Sequence, residues 1–174
     1  DNVGCDGTGV GCSSNIEATR LGLEGDIRHR LAGGWSVWGS MAYVYAQNDS
    51  MNVPLAQTPP FEVKFGSDYT AGNWTMGGVL RAVARQSRIH YNYGNIVGLD
   101  RASATPGFAT LGINASYKPN KSSQVSFGID NLFDRNYHEH ISRTDYSVAG
   151  YTVDTATAVN EPGRTFWVKA QANF

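Results

Sequence analysis

The sequence predicts an all-β protein, a transmembrane antiparallel β-barrel. Three observations predict this fold. Apolar and polar residues alternate with a period of two along several segments, no helical pattern separates these segments, and every second connection between them is short. The alternating segments are about 10 to 13 residues long, which exceeds the usual soluble strand and suits an oblique crossing of a bilayer.

Composition restricts the function classes. Of the 174 residues, 41% are apolar, 11% aromatic and 17% charged, and the formal net charge is -1. Soluble domains carry about 25% charged residues, so this composition excludes a disordered chain and a nucleic-acid binder that relies on Lys and Arg. The longest apolar run, Met41 to Ala46, is far shorter than the roughly 18 to 20 residues of a spanning helix, which excludes a helical membrane protein.

The alternation defines seven strands. In the first, Leu21, Leu23 and Ile27 lie on one side, whereas Glu24 and Arg28 lie on the other. The predicted strands are Arg20–Leu31, Trp35–Gln47, Phe61–Tyr69, Trp74–Gln86, Phe108–Lys118, Ser122–Asn131 and Arg164–Phe174. We expect these apolar residues to face lipid: Leu21, Leu23, Ile27, Val37, Met41, Val63, Phe65, Leu80, Leu111, Ile113, Phe127, Ile129 and Val168. We expect these polar residues to face the lumen: Glu24, Arg28, Glu62, Lys64, Arg81, Asn114 and Lys169.

The connections differ in length in a regular way. Residues 32–34, 71–73 and 119–121 form short turns, whereas residues 48–60, 86–106 and 138–163 form long loops. Short turns at one end and long loops at the other are typical of bacterial outer-membrane barrels, whose turns are periplasmic and whose loops are extracellular. A soluble β-barrel would show the same alternation with its apolar side inward, so alternation alone leaves that alternative open.

Seven antiparallel strands indicate a piece of a larger barrel. Bacterial barrels close with an even number of strands, and an open sheet would leave two long edges unpaired in lipid. The first residue, Asp1, is consistent with a mature chain or a fragment, and the strand count favours the fragment. With the short turns in the periplasm, the last strand ends there and places Phe174 at the periplasmic rim.

Two short motifs carry a resemblance to a known family. Asn131, Leu132, Phe133, Asp134 and Tyr137 form an Asn-Leu-Phe-Asp-Arg-x-Tyr sequence that resembles the signature near the end of TonB-dependent outer-membrane receptors. The sequence Pro162–Gly163–Arg164 is similar to the start of that family's final strand, and Phe174 resembles its closing aromatic residue. Ala172 departs from the family, because a Tyr is common at that position.

The resemblance implies an architecture and a set of partners. Residues 1–174 would be the C-terminal portion, about seven strands, of a 22-stranded plugged barrel in the outer membrane of a Gram-negative bacterium, with the plug and the earlier strands absent. The implied partners are the TonB energy-coupling complex, reached through the missing N-terminal region, outer-membrane lipid and the barrel-assembly machinery, which reads the terminal aromatic residue. No nucleic acid, cofactor or enzymatic activity is expected.

Residues 137–143, 148–151 and 159–167 are most similar to the copper-receptor branch of that family, which implies uptake of a copper ion. Three alternatives remain open. The chain could come from a siderophore or other-ligand receptor of the same family, from a passive porin or adhesin-type barrel, or from a soluble β ligand-binding module.

Two histidines are the candidate metal ligands. His138 and His140 flank Glu139, and an extended backbone would direct both imidazoles to the same side. Copper sites favour imidazole and thioether ligands, so this pair could capture a copper ion weakly at the mouth. The alternative is an ordinary polar cluster at the rim. The metal ligands associated with copper uptake in the family lie upstream, so none is assigned here by resemblance.

The cysteines leave two alternatives open. Cys5 and Cys12 fall in a Gly-rich stretch before the first strand, where they could form a disulfide in an oxidising compartment or a metal-binding thiolate pair. The sequence has no evident Ser-His-Asp grouping, paired catalytic carboxylates or zinc-ligand spacing, and we therefore predict no enzyme.

Overall fold

The computed structural model describes residues 15–91, 93–95, 98–101, 103–142 and 159–173. Cys5, Cys12 and Phe174 lie outside these ranges, and so do residues 143 and 148–151 of the copper-branch resemblance. Within the ranges, the chain forms no helix with the length and apolar character needed to cross a bilayer.

The long strands of the described residues are β1 Ala18–Arg30, β2 Trp35–Asn48, β4 Glu62–Ala71, β5 Trp74–Val83, β8 Phe108–Asn120, β9 Ser123–Asp130 and β10 Thr165–Ala172. The short ones are β3 Val53–Pro54, β6 Gly94–Asn95 and β7 Gly98–Leu99, and residues Ala32–Gly34 form a 3-10 turn. The long strands form one antiparallel sheet in the order β1-β2-β4-β5-β8-β9-β10, in which β3 also pairs with β2, and β6 and β7 form a separate two-stranded sheet. All seven predicted long strands are confirmed, and the short strands lie in loops.

The register gives the sheet one apolar and one polar face. Directly opposed residues of an antiparallel pair share a face. Phe65 lies opposite Leu80, which lies opposite Leu111, and the neighbouring row places Lys64 opposite Arg81. Every residue expected to face lipid lies on the apolar face, and every residue expected in the lumen lies on the polar face. The predicted division into two faces is therefore confirmed.

Aromatic pairs mark the short-turn end of the sheet. Trp35 packs against Tyr69 with ring centroids 4.9 Å apart, and Trp74 packs against Tyr117 at 4.8 Å. Each pair joins neighbouring strands on the apolar face of the sheet. Aromatic residues near strand ends on an apolar face are typical of the girdle of a membrane barrel. At the same end, Gly72 has a φ of 57°, which suits the tight turn between β4 and β5.

The buried side chains gather at the long-loop end. In the described part of the chain, the buried apolar residues are Ala46, Val83 and Phe108, all at or next to strand ends on that side. Most of the buried polar residues belong to the same region: Asn48, Thr58, Gln86, Asp100, Thr105, Asn131 and His140. The long strands form a single layer, so the packed interior of the described residues lies at the long-loop end.

Candidate functional site

A polar cluster forms where the β5–β8 connection meets the β9–β10 connection. We call it the mouth cluster, and it contains Arg81, Asp100, Arg101, Thr105, Glu139 and His140. The base of the β5–β8 connection is closed by two backbone hydrogen bonds: the Gln86 N–H donates to the Thr105 carbonyl at 3.0 Å, and the Thr105 N–H donates to the Gln86 carbonyl at 2.9 Å. These bonds bring Thr105 to the centre of the cluster.

His140 is the buried centre of the cluster. Its Nδ1 lies 2.8 Å from the Thr105 hydroxyl oxygen, and its Nε2 lies 3.5 Å from Oδ1 of Asp100. The Asp100 carboxylate also accepts hydrogen bonds from the backbone N–H groups of His90, at 2.7 Å, and Arg101, at 2.9 Å. Within the described ranges, Nε2 of His140 has no hydrogen-bond partner. The structure thus aligns a threonine, a histidine and an aspartate that the sequence spacing did not reveal.

A threonine, a histidine and an aspartate in a row resemble the catalytic residues of a nucleophilic enzyme, but a substrate could not reach this threonine. A nucleophile must be reached by the reacting group, and Thr105 is only 4% exposed. The 3.5 Å separation between His140 and Asp100 is also longer than a normal hydrogen bond. The arrangement therefore packs the two connections together.

Both histidines favour the neutral form. Burial is the largest cause of the lowered pKa of His138, followed by the positive charge of Arg101 and opposed by a hydrogen bond with Asn160. Burial also lowers the pKa of His140, against the opposing effect of Asp100. Neutral imidazole is the form that binds metals.

The two imidazoles differ in access. His138 is half-buried, whereas His140 is buried and its Nδ1 is engaged with Thr105. No set of three or more His, Cys, Asp or Glu side chains in the described part of the chain is arranged to hold a metal ion. Of the two predicted ligands, His138 has the more accessible imidazole.

Two arginines hold the histidine-bearing segment. The Arg101 guanidinium donates to the carbonyl oxygens of Glu139 at 3.0 Å, His140 at 2.9 Å and Ser142 at 2.9 Å. Arg81, on the polar face of β5, donates to the Glu139 carboxylate at 2.5 Å and through Nε to the Glu62 carboxylate at 2.9 Å. Burial lowers the pKa of Arg101, partly offset by Asp100.

A recess of about 420 Å³ opens on the polar face below Glu139. Lys64, Arg81, Asp130 and Tyr137 are among its lining residues. The Tyr137 ring stacks on Phe108 with centroids 4.1 Å apart, and this contact supports the segment that leads to His138. Tyr137 of the signature thus links the recess to the mouth cluster.

The family signature forms a clamp between β9 and β10. The Asn131 amide donates to the carbonyl oxygens of Arg135, at 2.8 Å, and Pro162, at 3.4 Å. Asp134 accepts the Arg164 N–H at 2.7 Å, and a Cβ on Gly163 would lie 2.6 Å from the same carboxylate oxygen. The residues Asn131, Asp134, Pro162, Gly163 and Arg164 therefore stabilise the start of the last strand.

The remaining signature residues have separate positions. Leu132 donates its N–H to the Leu111 carbonyl at 2.8 Å, which ties the clamp to β8. Phe133 is 74% exposed. Neither residue contacts the mouth cluster through the bonds described above.

Further loop side chains of the long-loop end lie apart from the mouth cluster. Met51 is an exposed loop residue in the β2–β4 connection. His90 stacks on Tyr93 with centroids 3.9 Å apart, and Tyr91 beside them is exposed. His90 connects to the cluster through its backbone bond to Asp100 rather than through its imidazole.

Asp100, Arg101 and Thr105 were missed by the sequence analysis. The residue pairs in contact are separated by 35 to 41 positions, and the three residues lie in a loop without periodicity. No sequence pattern in the loop indicates these contacts.

Comparisons with known proteins add independent information. The family model described as "TonB dependent receptor-like, beta-barrel" matches residues 1–132. The ferric enterobactin receptor of Pseudomonas aeruginosa is 26% identical over 157 residues, which are 88% of this chain and 21% of that protein.

Solved structures are similar as well. The copper transporter OprC is 36% identical with a TM-score of 0.84, over 92% of this chain and 24% of that one. The ferric citrate transporter FecA, at 21% identity and a TM-score of 0.67, covers 90% of this chain and 24% of its own and shows a shared fold. The chain thus spans about a quarter or less of the length of these relatives.

Proposed function

We propose, because this chain belongs to the TonB-dependent receptor β-barrel family, that its parent protein is an energy-coupled transporter of copper ions. The family consists of β-barrel receptors and transporters in the outer membrane of Gram-negative bacteria, and this chain is part of such a barrel rather than an enzyme.

The likeness to a copper transporter supports copper as the cargo. Identity to OprC is 36% with a TM-score of 0.84, whereas the ferric enterobactin receptor structures reach at most 26% and 0.67. The OprC match covers 92% of this chain, and its higher identity and TM-score are the observation that carries the proposal. Neutral, half-buried His138 at the mouth adds a ligand of suitable chemistry.

In this proposal, residues 1–174 form the C-terminal portion of the barrel domain. The apolar face contacts outer-membrane lipid, and the polar face lines the lumen around a plug supplied by upstream sequence. The inner-membrane TonB complex provides energy through that upstream region, and the barrel-assembly machinery inserts the wall. The mouth cluster organises the extracellular end of the path.

A siderophore receptor of the same family is the second candidate. The ferric enterobactin receptor relative favours it, with 26% identity over 88% of this chain. A passive porin or adhesin-type barrel is the third, and energy dependence separates it from the first two.

Uptake by the full-length receptor tests the proposal. The full-length receptor would be expressed in cells that lack their own copper receptor. Uptake of radiolabelled copper and of radiolabelled ferric enterobactin would then be measured at limiting concentration. We expect copper uptake that stops when TonB is deleted. Uptake of ferric enterobactin alone would support the second candidate, and copper uptake that persists without TonB would support a passive barrel.

A further inference from the structure

We propose that residues 137–142 form a releasable strap, docked on a rigid platform made by the β5–β8 connection and fastened to the barrel wall by the Arg81–Glu139 ion pair. The platform is defined here by residues 84–91, 100, 101 and 103–105. The strap carries His138 and His140, so its release would move both imidazoles. The inference goes beyond the proposed function, because it holds whatever the cargo is.

The platform is tied to the wall independently of the strap. Arg88 donates to the Ala46 carbonyl at 3.2 Å and to the Gln47 side chain at 2.9 Å, and its guanidinium lies 4.2 Å from the Tyr45 ring centroid. The Gln86 amide donates to the Thr58 carbonyl at 2.8 Å. These buried and half-buried contacts join the platform to β2 and to the β2–β4 connection, so the platform stays in place when the strap leaves.

The strap rests on the platform through polar contacts. The Arg101 guanidinium donates to three backbone carbonyl oxygens of the strap, those of Glu139, His140 and Ser142. The Thr105 hydroxyl is hydrogen-bonded to the His140 imidazole. Hydrogen bonds of this kind are individually modest when the released groups can bind water instead. Tyr137 anchors the start of the strap to β8, because its ring stacks on Phe108 with centroids 4.1 Å apart. The rest of the strap, from His138 to Ser142, can leave and return without unfolding the sheet.

The Arg81–Glu139 ion pair between the strap and the wall can open reversibly. Arg81 is shared between Glu139 on the strap and Glu62 on β4, and Lys64 also pairs with Glu62 at 2.9 Å. When Glu139 leaves, Arg81 keeps Glu62 as a partner, and no charge is left unpaired on the wall. The side chains of this group are a quarter or more exposed, so water screens the pair and limits the cost of opening.

Hydrogen exchange measured by mass spectrometry on the full-length receptor in detergent micelles tests the strap. The test variants are Thr105→Val, which removes the hydroxyl that holds His140, and Glu139→Gln, which removes the charge that binds Arg81. We expect each to raise exchange of residues 137–142 about tenfold, chiefly at the Ser142 N–H, which donates to the Glu139 carbonyl at 3.2 Å within the docked strap, and to leave residues 86–91 unchanged. The strand amides of residues 111–117 should keep their protection, which verifies that the barrel is folded.

Matched controls use the same chemistry nearby. Thr105→Ser keeps the hydroxyl, and Glu161→Gln removes a charge from the same connection; both should exchange like the wild type. A third variant, Arg88→Ala, loosens the platform and should raise exchange in both segments, because the strap rests on it. The proposal is overturned if the test variants leave residues 137–142 unchanged or raise both segments equally, or if Arg88→Ala affects residues 86–91 alone.

Discussion

The indole ring of Trp38 lies over Gly66, its direct partner on the neighbouring strand, on the polar face of the sheet. A side chain at residue 66 would overlap the ring. Trp167 lies over Gly128 in the same way between β10 and β9, where a Cβ would come within 2.5 Å of the ring. A large ring on the lumen side is thus accommodated twice by a glycine opposite it.

Replacement of Gly66 tests this pairing. Gly66→Ala should lower the free energy of unfolding by about 1–3 kcal/mol, because the new methyl group forces the Trp38 ring off its position. Urea-dependent folding into lipid vesicles, followed by heat-modified gel mobility, measures the change. Gly39→Ala, where the nearest atom is 3.5 Å from the added Cβ, should cost much less. Addition of Trp38→Ala to the Gly66→Ala protein should recover part of the lost stability. An unchanged free energy of unfolding in Gly66→Ala would contradict the packing of Trp38 over Gly66.

The two faces of the sheet should differ in their tolerance of charge. Leu23 is exposed on the apolar face near the middle of β1, so Leu23→Arg in the full receptor should cost about 2–4 kcal/mol of folding free energy. Asn114 lies on the polar face near the middle of β8, and Asn114→Arg should cost far less. Vesicle folding titrations compare the two, and equal costs would mean that the apolar face does not meet lipid.

The signature clamp should depend on one acceptor oxygen. Asp134→Ala removes the acceptor for the Arg164 N–H and places Ala at a φ of 54°, so we expect a loss of about 1–2 kcal/mol. Asp134→Asn keeps an oxygen at that position and tolerates the backbone, and it should retain most of the stability. The abundance of folded receptor in outer membranes measures both. If Asp134→Asn lost as much stability as Asp134→Ala, the charge of the carboxylate rather than its acceptor oxygen would be responsible.

Single replacements of the two histidines should have different effects. His138→Ala should lower copper uptake at limiting metal and leave exchange of residues 137–142 unchanged, because its imidazole is the accessible one. His140→Ala removes the partner of Thr105 and should raise that exchange. The double replacement should lower uptake with receptor abundance unchanged. Wild-type uptake by His138→Ala across the limiting range would make the histidine an ordinary loop residue.

Acid should release the strap. Burial lowers the pKa of His140 below its ordinary value of 6.5, and Arg101 and His138 act in the same direction while Asp100 opposes them. The released strap therefore binds more protons than the docked one, so docking is complete above pH 6.5 and is lost as the pH falls below it. Protection of residues 137–142, corrected for intrinsic exchange, should decrease accordingly. His138, whose pKa is also lowered by burial and by Arg101, contributes in the same direction, so His140→Asn should weaken this dependence without abolishing it. An identical profile in that variant would assign the dependence to other groups.

The sequence by itself determined the wall of the barrel. Side chains of a strand alternate between faces, so Leu21 and Leu23 oppose Glu24 and Arg28 by a local rule that needs no knowledge of the fold. The turns also carried local signals, because Gly33, Gly34 and Gly72 supply the positive φ angles that tight turns need. The signature Asn131 to Tyr137 and Pro162 to Arg164 indicated the family, although their hydrogen bonds to one another did not follow from it.

Only the tertiary structure decided how the mouth is built. Trp38 breaks the alternation, and the reason lies in Gly66, almost thirty residues away and adjacent only through strand pairing. His140 meets Thr105 and Asp100 because two connections converge at one end of the sheet, and long loops have no period that would reveal their contacts. The two histidines looked alike in the sequence, yet burial beneath Arg101 and Thr105 separated them into an accessible imidazole and a buried one. Strand patterns are local, whereas loop contacts depend on how distant segments pack.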